Sequence, residues 1–251
     1  MAKIIAVANH KGGVGKTTSC VNVGAALAKA GRRVLLVDVD PQANLTSSLT
    51  DENAVTASVY NAMKQVAEKK PAELPIIPIS ENLDIVPSNI NLTGIDMELG
   101  GIIAREQILR RLLSPIRGKY DYIFIDCPPS LGLITINALT AADSVIITMC
   151  AETLPLRGLA MLDNMIEDIA ESLNPALHVS GIIIAKYNRR KLDNAVIETI
   201  RTKYGDRVYN TFIRNNVALA EAPTFRQSVL DYAPGSNGAK DYTQLANEID
   251  K

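Results

Sequence analysis

Lys3-Ile4-Ile5-Ala6-Val7-Ala8-Asn9-His10-Lys11-Gly12-Gly13-Val14-Gly15-Lys16-Thr17-Thr18 is the stretch that decides the fold of this chain. A run of apolar residues ends in a glycine-rich segment, and a helical apolar pattern (Val21, Ala25, Leu27) opens directly behind it. Strand, loop and helix in that order are the context in which the pattern G-x-x-x-x-G-K-[ST] binds phosphate. The match departs from the pattern at its start. The first glycine position is held by His10 or shifted to Gly12, and a second lysine, Lys11, stands at the entrance of the loop. An ordinary loop of this kind needs only the lysine before Thr17, so Lys11 calls for a role of its own.

Residue types set what the loop can do. Gly12, Gly13 and Gly15 are free to adopt backbone angles that turn successive N–H groups inward around an anion, with Val14 adding its own N–H. A helix beginning near Lys16 contributes unpaired N–H groups and the positive end of its dipole. Lys16 is placed for the β- and γ-phosphates, the Thr17 hydroxyl for a Mg²⁺ coordination position and Thr18 for the α-phosphate. His10 needs no catalytic part, because phosphoryl transfer requires no imidazole. His178 reads as structural.

The rest of the composition fits such a site. The chain has 251 residues, of which 47% are apolar and only 4% aromatic with no Trp, so Ala, Val, Ile and Leu must fill the core. No apolar run approaches the ~20 residues of a membrane span, and a first strand that starts at Lys3 leaves no room for a signal peptide. Cys20, Cys127 and Cys150 are widely and irregularly spaced, which suits packed thiols in a reducing cytoplasm better than disulfides or a metal cluster. The same early start argues against a helix-turn-helix extension and hence against sequence-specific operator binding.

Strand-like runs occur at Lys3–Asn9, Arg33–Val39, Leu83–Pro87, Tyr120–Asp126, Ser144–Cys150, Val179–Lys186 and Val208–Ile213. Several are nearly continuous in Val and Ile, as expected of a parallel sheet covered on both faces. Helical patterns at Thr17–Ala30, Ile102–Ile116, Ile134–Ala141, Leu156–Leu173 and Leu192–Tyr204 separate most of them. This alternation predicts an α/β fold, a doubly wound, mostly parallel sheet with helices on both faces and ligands at the carboxyl ends of the strands. The section Asp51–Pro78, with Pro71, Pro75 and Pro78, reads as a surface excursion. With no repeat or linker, 1–251 reads as a single domain.

Two strand ends supply carboxylates. The second closes in Val37-Asp38-Val39-Asp40-Pro41-Gln42 and the fourth in Ile123-Phe124-Ile125-Asp126-Cys127-Pro128-Pro129-Ser130. An apolar strand ending in Asp is how such folds hold Mg²⁺, which marks Asp126. Of Asp38 and Asp40, one can orient the water shell of the metal while the other addresses the attacking water.

These segments together resemble the ParA family of partition ATPases, the deviant Walker A group that also contains MinD and the nitrogenase iron protein, and most closely its short chromosomal Soj-type members. The likeness covers essentially the whole chain. It extends to Cys150-Ala151-Glu152 with Leu156-Arg157-Gly158-Leu159, and to Asn216-Val217-Ala218-Leu219-Ala220-Glu221-Ala222-Pro223. The resemblance implies a P-loop ATPase using ATP and Mg²⁺. Lys11 matches the signature lysine that crosses a dimer interface to the ATP of the partner, with Lys16 and Asp40 as the other catalytic residues and Asp40 activating water. Thr17, Asp38 and Asp126 match the metal residues, Asp38 through the water shell. Gly12 to Thr18 hold the phosphates, and Asn188, Ile213 and Arg214 are the further nucleotide candidates, Asn188 by the likeness of Lys186-Tyr187-Asn188 to the adenine-reading segment of MinD-type relatives.

The resemblance also implies an ATP-bound homodimer, a ParB-type centromere-binding partner, nonspecific double-stranded DNA and a cytoplasmic, nucleoid-associated location. The formal net charge of −1 gives DNA no support by itself, but Lys186 to Arg214 carries eight basic residues against three acidic ones. Arg189, Arg190, Lys191 and Arg214 are the candidate DNA contacts, and they carry more of that task because relatives often have Arg where Ala218 stands. An alternative with the same ATPase residues is a ParA-like protein positioning a protein cargo on the nucleoid. A MinD-like membrane ATPase fits less well, since the segment from Lys240 to Lys251 is mixed to acidic with few apolar anchors.

Overall fold

The computed structural model describes residues 1–151 and 156–251, with residues 52, 156 and 157 described as backbone only. Glu152, part of the resemblance above, lies outside the described residues. Among the described residues, seven strands form one sheet: β1 (Lys3–Ala8), β2 (Val34–Asp38), β3 (Ile77–Ser80), β4 (Leu83–Val86), β5 (Tyr122–Asp126), β6 (Ser144–Cys150) and β7 (Val179–Ala185). Their order is β3-β4-β2-β5-β1-β6-β7. All pairings are parallel except β3–β4, so the doubly wound, mostly parallel sheet expected from the sequence is the fold.

The continuous apolar runs serve two cores at once. Successive side chains point to opposite faces of a strand, so Ile4, Ala6, Ala8, Leu35, Val37, Ile123 and Ile125 enter one core. Ile5, Val7, Val34, Leu36, Tyr122 and Phe124 enter the other. Helices Val59–Ala67, Ile108–Leu113, Leu133–Ala141, Leu156–Ser172 and Lys191–Tyr204 cover the first face, contributing Met63, Leu109, Leu139, Leu162 and Val196. Helices Lys16–Lys29 and Asn237–Ile249 cover the second with Cys20, Val23, Leu27, Tyr242 and Leu245.

Three local expectations are corrected. Val208–Ile213 is not a strand: it forms one isolated bridge to β7, Ile182 to Val208, with the Tyr209 and Ile213 N–H groups on the Ile182 and Ile184 carbonyls at 3.1 and 2.8 Å. The Tyr209 ring occupies the place where a side chain on Gly181 would stand, since a Cβ there would lie 2.3 Å from the ring. The next two N–H groups, of Asn210 and Thr211, go to the Glu248 carboxylate at 2.9 Å instead of to a strand. Ile102–Ile116 is not one helix but the α-helix Ile108–Leu113 between 3₁₀ turns Arg105–Gln107 and Ser114–Lys119. Ala104 is left-handed (φ +57°) ahead of it, and Pro115 has no N–H to continue it. The excursion Asp51–Pro78 contains the helix Val59–Ala67, opened by a Ser58/Asn61 capping box, and it delivers β3, whose antiparallel pairing closes that edge of the sheet.

No helix among the described residues is long and apolar enough to cross a membrane. The few apolar residues near the end of the chain face inward. Tyr242, Leu245, Ala246 and Ile249 lie in the core shared with Lys16–Lys29, and the Tyr242 and Ser19 hydroxyls are 3.2 Å apart. Leu245→Ala should therefore lower stability by about 2–5 kcal/mol, the range for truncating a fully buried leucine. Urea unfolding followed by circular dichroism measures it, and a loss under ~1 kcal/mol would show that this helix is not docked.

Candidate active site

The glycine loop leaves β1 at Asn9, whose side chain fixes it at two points. Asn9 Nδ2 donates to the Thr148 carbonyl on β6 at 2.7 Å, and Asn9 Oδ1 accepts the Lys11 N–H at 2.9 Å. Gly13 and Gly15 adopt φ of +70° and +93°, a region that residues with a Cβ avoid, while Gly12 does not use it. Val14 is buried, leaving its backbone for the loop, and the Cys150 thiol rests on the Gly13 carbonyl at 3.7 Å. Gly15 precedes the helix Lys16–Lys29, which has no side-chain N-cap and no acidic residue in its first turn. Its first N–H groups are thus left for an anion. Lys16 is buried and its Nζ donates to the Lys11 carbonyl at 3.3 Å, closing the loop on itself.

Parallel pairing of β2 and β5 sets Asp38 directly opposite Asp126. Both are buried. Asp126 Oδ2 accepts the Thr17 hydroxyl at 2.6 Å, whereas its Oδ1 is buried and has no hydrogen-bond partner among the described residues. Asp38 is supplied more fully: Oδ1 accepts the Asp40 N–H at 3.0 Å, and Oδ2 accepts the Thr46 N–H and hydroxyl at 2.9 and 2.7 Å. Burial first, and then the negative charge of Asp38, push the Asp126 carboxyl well above the usual range. Burial likewise raises Asp38, against the lowering effect of its Thr46 and Asp40 hydrogen bonds. An orphaned carboxylate oxygen beside a threonine hydroxyl suits a small hard cation, and the nearby lysine suits the phosphate oxygens such a cation accompanies. Asp40 also lies in the wall, with one oxygen taken by the Gln42 N–H at 2.9 Å.

Two adjoining clefts meet at this loop. The larger, of about 530 Å³, is lined by Gly12, Gly13, Gly15, Lys16, Thr17, Thr18 and Asp40, with Gln42, Asn44, Ser47, Ser48, Pro129, Lys186 and Pro223. The smaller, of about 170 Å³, runs from Gly15 and Thr18 past Ala185, Lys186, Ile213 and Arg214 to Asn215, Asn216, Leu219 and Tyr242. Ile213 and Arg214, both nucleotide candidates from the sequence, line the smaller cleft. Asn188 does not line either cleft: its Nδ2 donates to the Lys186 carbonyl at 3.0 Å, and its N–H is held by Asp193. Lys186, left-handed at φ +54°, lines both clefts and was not singled out for the nucleotide. Nor were Gln42, Asn44, Asn215 and Asn216, short polar residues in turns with no spacing signal of their own.

Among the DNA candidates, Arg189, Arg190 and Lys191 are exposed side by side. Arg214 is half-buried and paired: its Nε lies 3.0 and 3.1 Å from the two oxygens of buried Asp241 on the last helix. Lys11 is exposed at the rim of the loop. His10 packs by Gly158, whose Cβ position would lie 3.6 Å from the ring, and has no acid or base to pair with among its described contacts. The three cysteines are buried and free, and no metal-holding cluster of His, Cys, Asp or Glu occurs among the described residues.

A strand, a left-handed glycine loop, a helix N-terminus and an aspartate on the neighbouring strand define a P-loop nucleoside triphosphatase. Residues 2–179 match the model of a family described as an AAA domain. The sporulation initiation inhibitor protein Soj of Bacillus subtilis is 46% identical over 99% of this chain and 98% of its own length. The chromosome partitioning protein ParA of Caulobacter vibrioides is 39% identical, with coverage of 98% and 93%. Among solved structures, cobyrinic acid a,c-diamide synthase of Mycobacterium smegmatis, with bound ADP and magnesium, superposes with a TM-score of 0.83 at 34% identity over 99% of this chain and 94% of that one. The chain belongs to the ParA/Soj family of partition ATPases.

The buried carboxylates carry a pH signature. A carboxyl whose pKa is raised by folding binds its proton more tightly in the native state, so its contribution is present at low pH and is lost as pH rises through the folded value. In metal-free buffer, Asp126→Asn removes that loss. The melting temperature of the variant relative to wild type should therefore rise between about pH 4.5 and 8. A difference that stays flat or falls across that range, measured by differential scanning calorimetry, would contradict the burial argument.

Proposed function

We propose that this chain hydrolyses ATP with Mg²⁺ as the timing step of a DNA partition cycle, and that the cycle depends on dimerisation. The observation that carries the reading is the orphaned Oδ1 of Asp126, with the Thr17 hydroxyl on its other oxygen, beside the Gly13 and Gly15 turn. Lys16 leaves the Lys11 carbonyl for the β- and γ-phosphates, and N–H groups of the loop and helix hold the remaining phosphate oxygens. Thr17, Asp126 and Asp38 would hold the cation, which would neutralise phosphate charge. Asp40 lies on the wall of the same cleft and orients the attacking water. The half of the cleft around Ile213, Asn215 and Asn216 receives the base and ribose.

Lys11 stands at the open rim, where a second copy of the chain can bring its own rim. Its charge then reaches the phosphates of the partner only in the assembled dimer, which links hydrolysis to association. Arg189, Arg190 and Lys191, doubled by dimerisation, hold the backbone of double-stranded DNA without reading bases. Lys186, three residues before Arg189, borders both clefts, which puts the basic cluster next in the chain to the proposed nucleotide site. A ParB-type centromere-binding protein is the partner that stimulates hydrolysis, and the ATP dimer is nucleoid-associated.

DNA co-sedimentation with Mg-ATP, with ADP and without nucleotide tests the cycle. Wild type should pellet with DNA only in ATP, and less so as salt is raised, while Lys11→Ala should remain monomeric by light scattering and stay in the supernatant. Equal DNA binding in all three nucleotide states would sink the switch, and ATP-dependent dimers of Lys11→Ala would remove the cross-dimer role of that lysine.

A further inference from the structure

Thr46 sits in the one-turn helix Asn44–Ser47, outside every motif the sequence displays. It is buried, and its hydroxyl is used twice. Thr46 Oγ1 donates to Asp38 Oδ2 at 2.7 Å and accepts the N–H of Ser88, just beyond β4, at 2.9 Å. Its own N–H donates to the same Asp38 oxygen at 2.9 Å. The other Asp38 oxygen holds the Asp40 N–H at 3.0 Å. A continuous line of hydrogen bonds thus runs from the end of β4 through Thr46 and Asp38 to the backbone of Asp40, the residue assigned to the attacking water. Ala43, at φ +53°, turns the chain so that Thr46 comes back over the end of β2.

From this geometry we infer that Thr46 is a positioning residue for hydrolysis, its hydroxyl holding Asp38 and, through Asp38, the segment Asp40–Gln42 in place. The inference rests on the reading that Asp40 orients water in an ATPase. Three features set it apart from a packing role. The donors converge on a single carboxylate oxygen. The hydroxyl has both a donor and an acceptor partner, so it cannot rotate away without leaving one of them unpaired in a buried place. Thr46 lines none of the phosphate cleft itself, so its loss leaves the contacts of Lys16, Thr17 and Thr18 with nucleotide intact. Polar partners behind the first ring of a site typically change its activity by 10- to 100-fold when removed, because small misplacements of a reacting group are expensive in rate.

The test compares Thr46→Val, which keeps the shape and removes the hydroxyl, with Thr46→Ser, which keeps the hydroxyl and removes the methyl. Phosphate release is measured at varied Mg-ATP. Thr46→Val should lose roughly 10- to 100-fold in kcat, with KM for ATP within about twofold of wild type, since ground-state contacts are untouched. Thr46→Ser should recover kcat to within roughly threefold of wild type. A Thr46→Val protein with wild-type kcat overturns the inference, and so does a Thr46→Ser protein as slow as Thr46→Val, because the methyl would then be what matters. Equal losses in kcat and in ATP affinity overturn it as well. If Thr46→Val does not fold, Thr46→Ala takes its place, and failure of both to fold assigns Thr46 to folding instead. A wild-type protein that hydrolyses no ATP overturns the underlying reading, and is told apart from the other outcomes by its own inactivity.

Discussion

Asp38 and Asp126 face each other across the β2–β5 pairing, both withdrawn from water. Two like charges so placed oppose folding unless something answers them. Asp38 is answered by the protein itself, with three donors from Asp40 and Thr46. Asp126 is answered by half, with Thr17 on one oxygen and no described residue on the other. The unanswered half leaves one buried carboxylate oxygen open to a partner from outside the described residues, the place the proposed function gives to the cation. The surrounding architecture serves that arrangement: parallel strands bring both acids to one end of the sheet, and the loop after β1 brings a helix N-terminus and Lys16 to the same end.

The difference in supply also divides the labour between the acids. A carboxylate with three protein donors is rigid and dictates the geometry of the adjoining turn, which carries Asp40 and Gln42. A carboxylate with one protein donor is open to exchange partners. Asp40, with one oxygen on the Gln42 N–H, falls between the two. Position in the sequence does not reveal this division, because all three are aspartates at the ends of apolar strands. Only the placement of Thr46, folded back over β2, separates them.

The sheet and the loop were legible in the sequence because their signals are local and redundant. Val34–Asp38 and Tyr122–Asp126 are apolar throughout with Asp at their ends, and Gly13, Gly15, Lys16 and Thr17 are contiguous. What escaped depends on contacts between distant residues. The strand expected at Val208–Ile213 has a fitting composition but loses its ladder to Glu248 and to the Tyr209 ring lying on Gly181. The pairing of Arg214 with Asp241, 27 positions along, has no local signal either. Thr46 and Lys186 carry no spacing signal, because single residues in short turns acquire a role only from the strand ends they fold onto.

The two clefts differ in how firmly their walls are built. The phosphate side lies between the central strands β1, β2 and β5, each paired on both edges. The far wall of the smaller cleft hangs beside β7 from isolated bridges at Val208 and Arg214, with the Ile213 N–H on the Ile184 carbonyl at 2.8 Å. Segments secured by few backbone bonds open first. With base and ribose placed in the smaller cleft, as proposed above, a spent nucleotide would come loose first at the edge of the sheet, while the loop after β1 still holds its phosphates.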